Sequence, residues 1–170
     1  SNFILIILGE PNSTFSELLF KYFKSKNFKK SKDTIVLIGN NKLLKKQMKK
    51  LNYKFKKNEI SIKEIPYLLK NNNQINVLNE EFKFRKTFDK ISSKSNNYLV
   101  KCFDTALKVV KKYKLDFLIN GPISKKYFLK KKYPGMTEYF SSKTKSLNKE
   151  VMLIYSKNLS VSPITTHLPL

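Results

Sequence analysis

His167 is the single histidine of this 170-residue chain and lies in TTHLPL, between two threonines and a Leu-Pro-Leu. As a neutral imidazole it could bind a divalent metal. Tetrahedral and octahedral ions need further ligands, however, and the local sequence holds no HxH or HxxxH partner. Two more loops carry residues with chemistry to offer. NGPISK ends in Lys125, either a solvated surface lysine or a point charge for a phosphate or carboxylate. GEPNST precedes a helical pattern: Gly9 and Pro11 could simply make the turn while Thr14 caps the helix, or the loop could hold an anion at the helix N-terminus. It is not glycine-rich, which favours the turn. Cys102 sits among apolar residues at helical spacing and is expected in the core rather than as a nucleophile.

Each loop needs a strand to deliver it. Phe3 to Leu8 is a continuous apolar run of strand length, and after GEPNST the residues Phe15, Leu18, Leu19, Tyr22 and Phe23 fall on one helical face. Thr14 and Glu17 have the spacing of a capping box. TIVLIG, Thr34 to Gly39, is a second buried strand, followed by a lysine-rich helix from about Lys42 to Leu51. Between Asn52 and Asn73 the pattern is ambiguous: EIPYLL suits a short strand or a turn, and NNNQ marks a loop before Ile75 to Leu78. Ser95 to Tyr113 is expected as a long helix with Leu99, Phe103, Ala106, Val110 and Tyr113 along its apolar stripe. That helix leads into DFLIN, Asp116 to Asn120, a strand that runs directly into NGPISK. VMLIY, the turn SKNL and SVSPITTHLPL form a second strand-to-loop junction. Apolar strands separated by helices predict an α/β fold, layered α/β/α with a largely parallel sheet. Such sheets bind ligands at the carboxyl ends of their strands, where all three loops are predicted to lie.

Composition narrows the class. A hydrophobic fraction of 41%, with thirteen Phe and nine Tyr, excludes a disordered chain, and the length allows one core. The net charge of +23 suggests a nucleic-acid binder, but Arg85 is the only arginine, and the lysines are scattered beside asparagines along the whole chain. That pattern describes solvated faces, so a basic nucleic-acid-binding protein is kept only as a remote alternative. No apolar run approaches the roughly 18 to 20 residues that cross a bilayer. FILIIL has neither a preceding basic segment nor a following cleavage site, so no membrane partner is expected. A soluble, cytoplasmic protein with no disulfide within its chain is expected.

The motifs then become familiar. NGPISKKYFLKKKYPGMTEYFSSKT, followed by ITTHLPL, resembles the 4-hydroxythreonine-4-phosphate dehydrogenase family of vitamin B6 biosynthesis. That family has T-[AG]-P-I-x-K, then P-F-x-G-H-T-E-[FY], then T-T-H-[LVI]-P-L. GEPNSTFSE lines up without gaps on its G-D-P-A-G-I-G-P-E. The resemblance covers the whole chain but only the family's first half, so residues 1–170 are expected as a single α/β region, with the second half missing.

The resemblance implies an isocitrate/isopropylmalate dehydrogenase-like fold and a homodimer with sites at the subunit interface. It implies NAD or NADP and a divalent metal (zinc, magnesium or cobalt) as cofactors, and a small phosphorylated hydroxy amino acid as substrate. Carried over residue by residue, His167 matches the family's metal ligand, Thr137 its substrate-contacting threonine, and Lys125 the lysine of the P-I-x-K loop, the candidate catalytic residue. Met136 stands where the family has a substrate-contacting histidine, and methionine neither carries charge nor makes strong hydrogen bonds. Ser13 and Phe15 replace two glycines of the opening loop. The implied reaction is oxidation and decarboxylation of 4-phosphohydroxy-L-threonine. The alternatives are a dehydrogenase for 4-phosphothreonate or 4-phosphoerythronate, or a catalytically incomplete homologue.

Overall fold

Five short strands lie side by side, all parallel, in the order β3-β4-β2-β1-β5. They are β1 (Phe3–Ile7), β2 (Thr34–Gly39), β3 (Lys57–Ile60), β4 (Ile75–Asn79) and β5 (Leu118–Asn120). The computed structural model describes residues 3–68, 74–115, 117–129, 132–144 and 150–163. Every residue of β2 is buried. A central parallel strand is covered on both faces, which is why TIVLIG is apolar throughout instead of alternating.

One face of the sheet carries α1 (Phe15–Lys24), α2 (Lys26–Lys30) and α3 (Asn41–Lys50). Leu19, Phe20, Phe23, Phe28, Leu44 and Met48 from these helices pack on Ile6, Ile35, Leu37, Ile75 and Val77 of the strands. Strand side chains alternate between faces, so Leu5, Ile7, Val36, Ile38 and Leu78 point to the opposite side. There α5 (Asn96–Tyr113) packs against β1 and β2, burying Leu99, Cys102, Phe103, Ala106 and Val109. The result is the expected α/β/α layering. Cys102 is a fully buried free thiol, pushed up to about 12 by burial, which fits the expected core role. Among the described residues no helix is long and apolar enough to cross a membrane.

Some details differ from the sequence reading. The buried stripe of α5 centres on Cys102 and Val109, with Val110 and Tyr113 only half-buried. Thr14 makes no side-chain cap; Ser13 Oγ accepts from Phe15 N at 3.3 Å instead. The capping box closes elsewhere, where Glu64 Oε2 accepts from Ser61 N at 2.8 Å and Ser61 Oγ at 2.7 Å. The ambiguous stretch after Asn52 resolves into edge strand β3 and, at IPYL, the short helix α4 (Ile65–Leu68). At the far end of the chain, β6 (Ile154–Tyr155) pairs antiparallel with β7 (Ser160–Val161) in a separate ribbon. A short turn joins antiparallel neighbours, whereas a parallel pairing needs a crossover of roughly a dozen residues, so SKNL could not return the chain for a parallel partner.

The sequence reading treats 1–170 as one region; the structure divides it into two compact units, Ser1–Ser124 and Lys125–Leu170. The sheet and its three layers belong to the first. The second contains a π-helical turn (Lys125–Leu129), α6 (Met136–Thr144) and the β6–β7 ribbon.

Candidate functional site

β1 and β5 are neighbours, and their last paired residues are Ile7 and Asn120. The GEP and NGP loops therefore leave the same carboxyl edge side by side. Gly121 N donates to Ile7 O at 2.7 Å and Glu10 N to Pro122 O at 2.8 Å. Backbone lies on backbone with no room for a side chain. A Cβ on Gly121 would meet Leu8 O at 2.4 Å, and one on Gly9, whose φ is +71°, would meet Pro122 O at 2.5 Å. Two of the three loops singled out from sequence thus converge, and glycine at each crossing point is a steric requirement.

Glu10 lies at the heart of this junction, only 2% exposed. Its Oε2 accepts from Ser95 Oγ at 2.7 Å and its Oε1 from Asn12 N at 3.4 Å. Burial raises its carboxyl above the ordinary glutamate range, against the opposing pull of those two hydrogen bonds. Gln47 Nε2 donates to Pro11 O at 2.8 Å, tying the loop to α3. At the end of β2, Asn40 Oδ1 caps α3 by accepting from Leu43 N at 2.9 Å, while Tyr98 OH accepts from Asn40 N at 3.2 Å. The space left among Glu10, Pro11, Asn40, Gln47 and Tyr98 is a cavity of about 20 Å³. That is water-sized. Glu10 therefore acts as a positioning residue: it fastens the loop to the start of α5, and the space it borders among the described residues is water-sized. Sequence reasoning passed over Glu10, Gln47 and Ser95; the one signal was an acidic residue one glycine past an apolar strand.

In the second unit, Met136 and Thr137 form the first turn of α6, both half-buried. The helix is anchored one turn on by buried Tyr139, whose ring meets those of Phe128 and Tyr133 at 5.4 Å each and Phe140 at 5.9 Å. A hydrogen bond with Ser142, assisted by Lys132 and Lys143, lowers the Tyr133 phenol below its usual range. Lys125 is exposed and opens the π-helical turn, apart in sequence from the Met136–Thr137 pair but within the same unit. His167 and its flanking threonines lie outside the described residues. Among the described residues no group of three or more His, Cys, Asp or Glu could hold a metal ion.

Comparison with known proteins extends this picture. The family model of pyridoxal phosphate biosynthetic protein PdxA matches residues 31–170. The 4-hydroxythreonine-4-phosphate dehydrogenase of Sulfurihydrogenibium sp. (strain YO3AOP1) is 30% identical over 174 residues, covering 98% of this chain and 50% of that protein. The crystal structure of a 4-hydroxythreonine-4-phosphate dehydrogenase from Burkholderia phymatum matches with a TM-score of 0.80 at 20% identity, covering 99% of this chain and 51% of that one. A putative 4-hydroxythreonine-4-phosphate dehydrogenase from Salmonella typhimurium matches with a TM-score of 0.80 at 19% identity, covering 100% of this chain and 52% of that one. The two structures establish the shared fold, and the chain spans about half the length of the relatives it matches. With the family match running from residue 31 through residue 170, the chain belongs to the pyridoxal phosphate biosynthetic protein PdxA family.

Proposed function

We propose that this chain supplies the substrate-facing loops of a 4-hydroxythreonine-4-phosphate dehydrogenase-like enzyme. The reaction is the NAD- and divalent-metal-dependent conversion of 4-phosphohydroxy-L-threonine to 3-amino-2-oxopropyl phosphate, on the way to pyridoxine 5'-phosphate. The observation that carries this reading is the family match over residues 31–170, which takes in NGPISK, PGMTEY and TTHLPL. In chemical terms, the carbon bearing the substrate's secondary hydroxyl gives a hydride to the nicotinamide while the hydroxyl gives its proton to solvent, and the resulting β-keto acid releases carbon dioxide and takes up a proton at the carbon left behind. A bound divalent ion supplies Lewis acidity for both stages. His167 offers one imidazole donor to such an ion, and among the described residues no group of three or more His, Cys, Asp or Glu could hold it without that imidazole. Thr137, held in the first turn of α6, orients the substrate through its hydroxyl. The exposed ammonium of Lys125 meets the substrate's anionic end.

The enzyme is proposed to work in the cytoplasm as a homodimer. The buried free thiol of Cys102 suits a reducing compartment. The β6–β7 ribbon leaves Leu153, Ile154, Tyr155 and Leu159 more than half exposed, an apolar surface that suits pairing with a second copy.

Met136 favours a second reading, in which the substrate is 4-phosphothreonate or 4-phosphoerythronate. A half-buried thioether at this position cannot hydrogen-bond a polar substrate group as the family histidine does. A substrate panel read by NADH formation separates the two. Activity on 4-phosphohydroxy-L-threonine that rises on Met136→His supports the first. Preference for the acids, reversed by the same substitution, supports the second. No turnover on any of the three, with NAD or NADP and any of the expected metals, would leave a catalytically incomplete homologue.

A further inference from the structure

A second feature of the first unit is absorbed by none of this. Between β4 and α5 the chain runs through EFKFRKTFDKISSKS, in which residues 81–92 form neither helix nor strand. The segment is nonetheless pinned: Glu80 N donates to Gly39 O at 2.9 Å, Gln47 Nε2 to Thr87 O at 3.4 Å, and Asp89 N to Asn12 Oδ1 at 3.0 Å. Its aromatic residues turn inward, the Phe82 ring lying 6.4 Å from that of Phe84 at an interplanar angle of 16° and 5.0 Å from Tyr98. The alternating cations are left facing out around a cavity of about 370 Å³.

Lys83, Arg85, Lys86, Lys90 and Lys94 line that cavity, with Asp89 as the only carboxylate. Among the described residues none of these five cations has a carboxylate partner. A sphere of this volume is about 9 Å across, close to the Debye length of about 8 Å at physiological salt. Across that distance the five exposed charges are only partly screened and repel one another, a cost that a multivalent anion in the cavity would reverse. Arg85 is the only arginine in a chain that otherwise uses lysine, and the guanidinium fork is the group suited to bidentate phosphate binding. The half-buried rings of Phe82 and Phe84 give the cavity an apolar wall.

We propose that this cavity is a binding site for a small ligand carrying two or more negative charges of the phosphate class, sharing no residue with the proposed dehydrogenase site. A compact, concave cluster of charge suits a small ligand; a nucleic-acid strand calls for a continuous basic stripe.

The test is calorimetric titration of the full chain with inorganic pyrophosphate at about 0.15 M salt, where diffuse surface charge is largely screened. Wild-type protein should saturate at one equivalent. Arg85→Gln/Lys86→Gln/Lys90→Gln should weaken binding about tenfold or more, because it removes charge-assisted contacts. Lys49→Gln/Lys54→Gln/Lys56→Gln removes the same charge around a different, open depression and should change affinity less than about twofold. All six side chains are exposed, so both variants should keep the wild-type melting profile. Lys125→Gln should leave pyrophosphate binding unchanged. Failure of wild-type protein to saturate, or equal weakening by the two triple variants, would overturn the proposal. So would loss of binding in Lys125→Gln, which would assign the anion to the dehydrogenase site. Displacement of pyrophosphate by a single-stranded oligonucleotide that binds more tightly and loses affinity steeply with salt would replace it with a nucleic-acid interface.

Discussion

Around Gly9 and Gly121 the backbone of one loop rests on the backbone of another, inside a unit whose sheet is covered by helices on both faces. Around Tyr139 a few aromatic rings hold one short helix, and the ribbon in the same unit leaves Leu153, Ile154 and Leu159 largely exposed. Steric fit therefore maintains the first region, and a small ring cluster maintains the second. The difference matters for function because the residues proposed to meet substrate, Lys125, Met136 and Thr137, lie in the more lightly built unit.

The contrast can be broken most forcefully in the core. Phe103→Ala should cost about 3–5 kcal/mol, the usual toll for emptying a fully buried aromatic site, measured as a shift in the urea midpoint. Tyr139→Ala should act locally: amide exchange across α6 should speed up while protection in β1, β2 and β4 stays at wild-type levels. Equal loss of protection in the sheet would mean that the two regions unfold together and that the contrast is false.

A smaller effect is expected at the junction. Gly121→Ala should cost about 2–3 kcal/mol, because a methyl group cannot lie 2.4 Å from Leu8 O without moving backbone. Ala at Gly135 meets only the end of the Glu138 side chain, at 2.9 Å, so it should cost clearly less.

The smallest expected effect is a pH dependence at Glu10. Its folded carboxyl is raised, so the folded state holds the proton more tightly than the unfolded one. As pH rises from the ordinary glutamate range, the unfolded state ionises first, and folding stability declines until the raised value is passed. Glu10→Gln keeps the hydrogen-bonding shape and removes the titration. The stability of that variant relative to wild type should therefore increase with pH across that window, and a flat difference in paired urea titrations would show that Glu10 is not held in its neutral form.

What could be read in advance follows from the strength of local signals. β1, β2 and β4 are apolar runs, and α1, α3 and α5 have clear helical periodicity, so each was legible with end errors of a residue or two. β3 was not: KNEI is a polar edge strand with no apolar run, and its assignment depends on pairing with β4. The capping box at Ser61 and Glu64 was likewise missed, because the same spacing at Thr14 and Glu17 looked equivalent in sequence and differs only in backbone geometry. In the site, the loops could be nominated one at a time, but their convergence could not, since it depends on β1 and β5 being neighbours. The bond between Glu10 and Ser95 joins residues 85 positions apart, beyond the reach of any local pattern. Thr137 is nominated by the family motif alone and Lys125 also by its strand-end loop, and the structure adds their placement on α6 and on the turn before it.

The most direct test of the functional account is NADH formation by the complete gene product with 4-phosphohydroxy-L-threonine and a divalent metal, compared with the His167→Ala variant. The account predicts metal-dependent turnover that the variant loses by orders of magnitude while keeping the wild-type melting profile. Undiminished turnover in the variant would contradict the proposed role of His167.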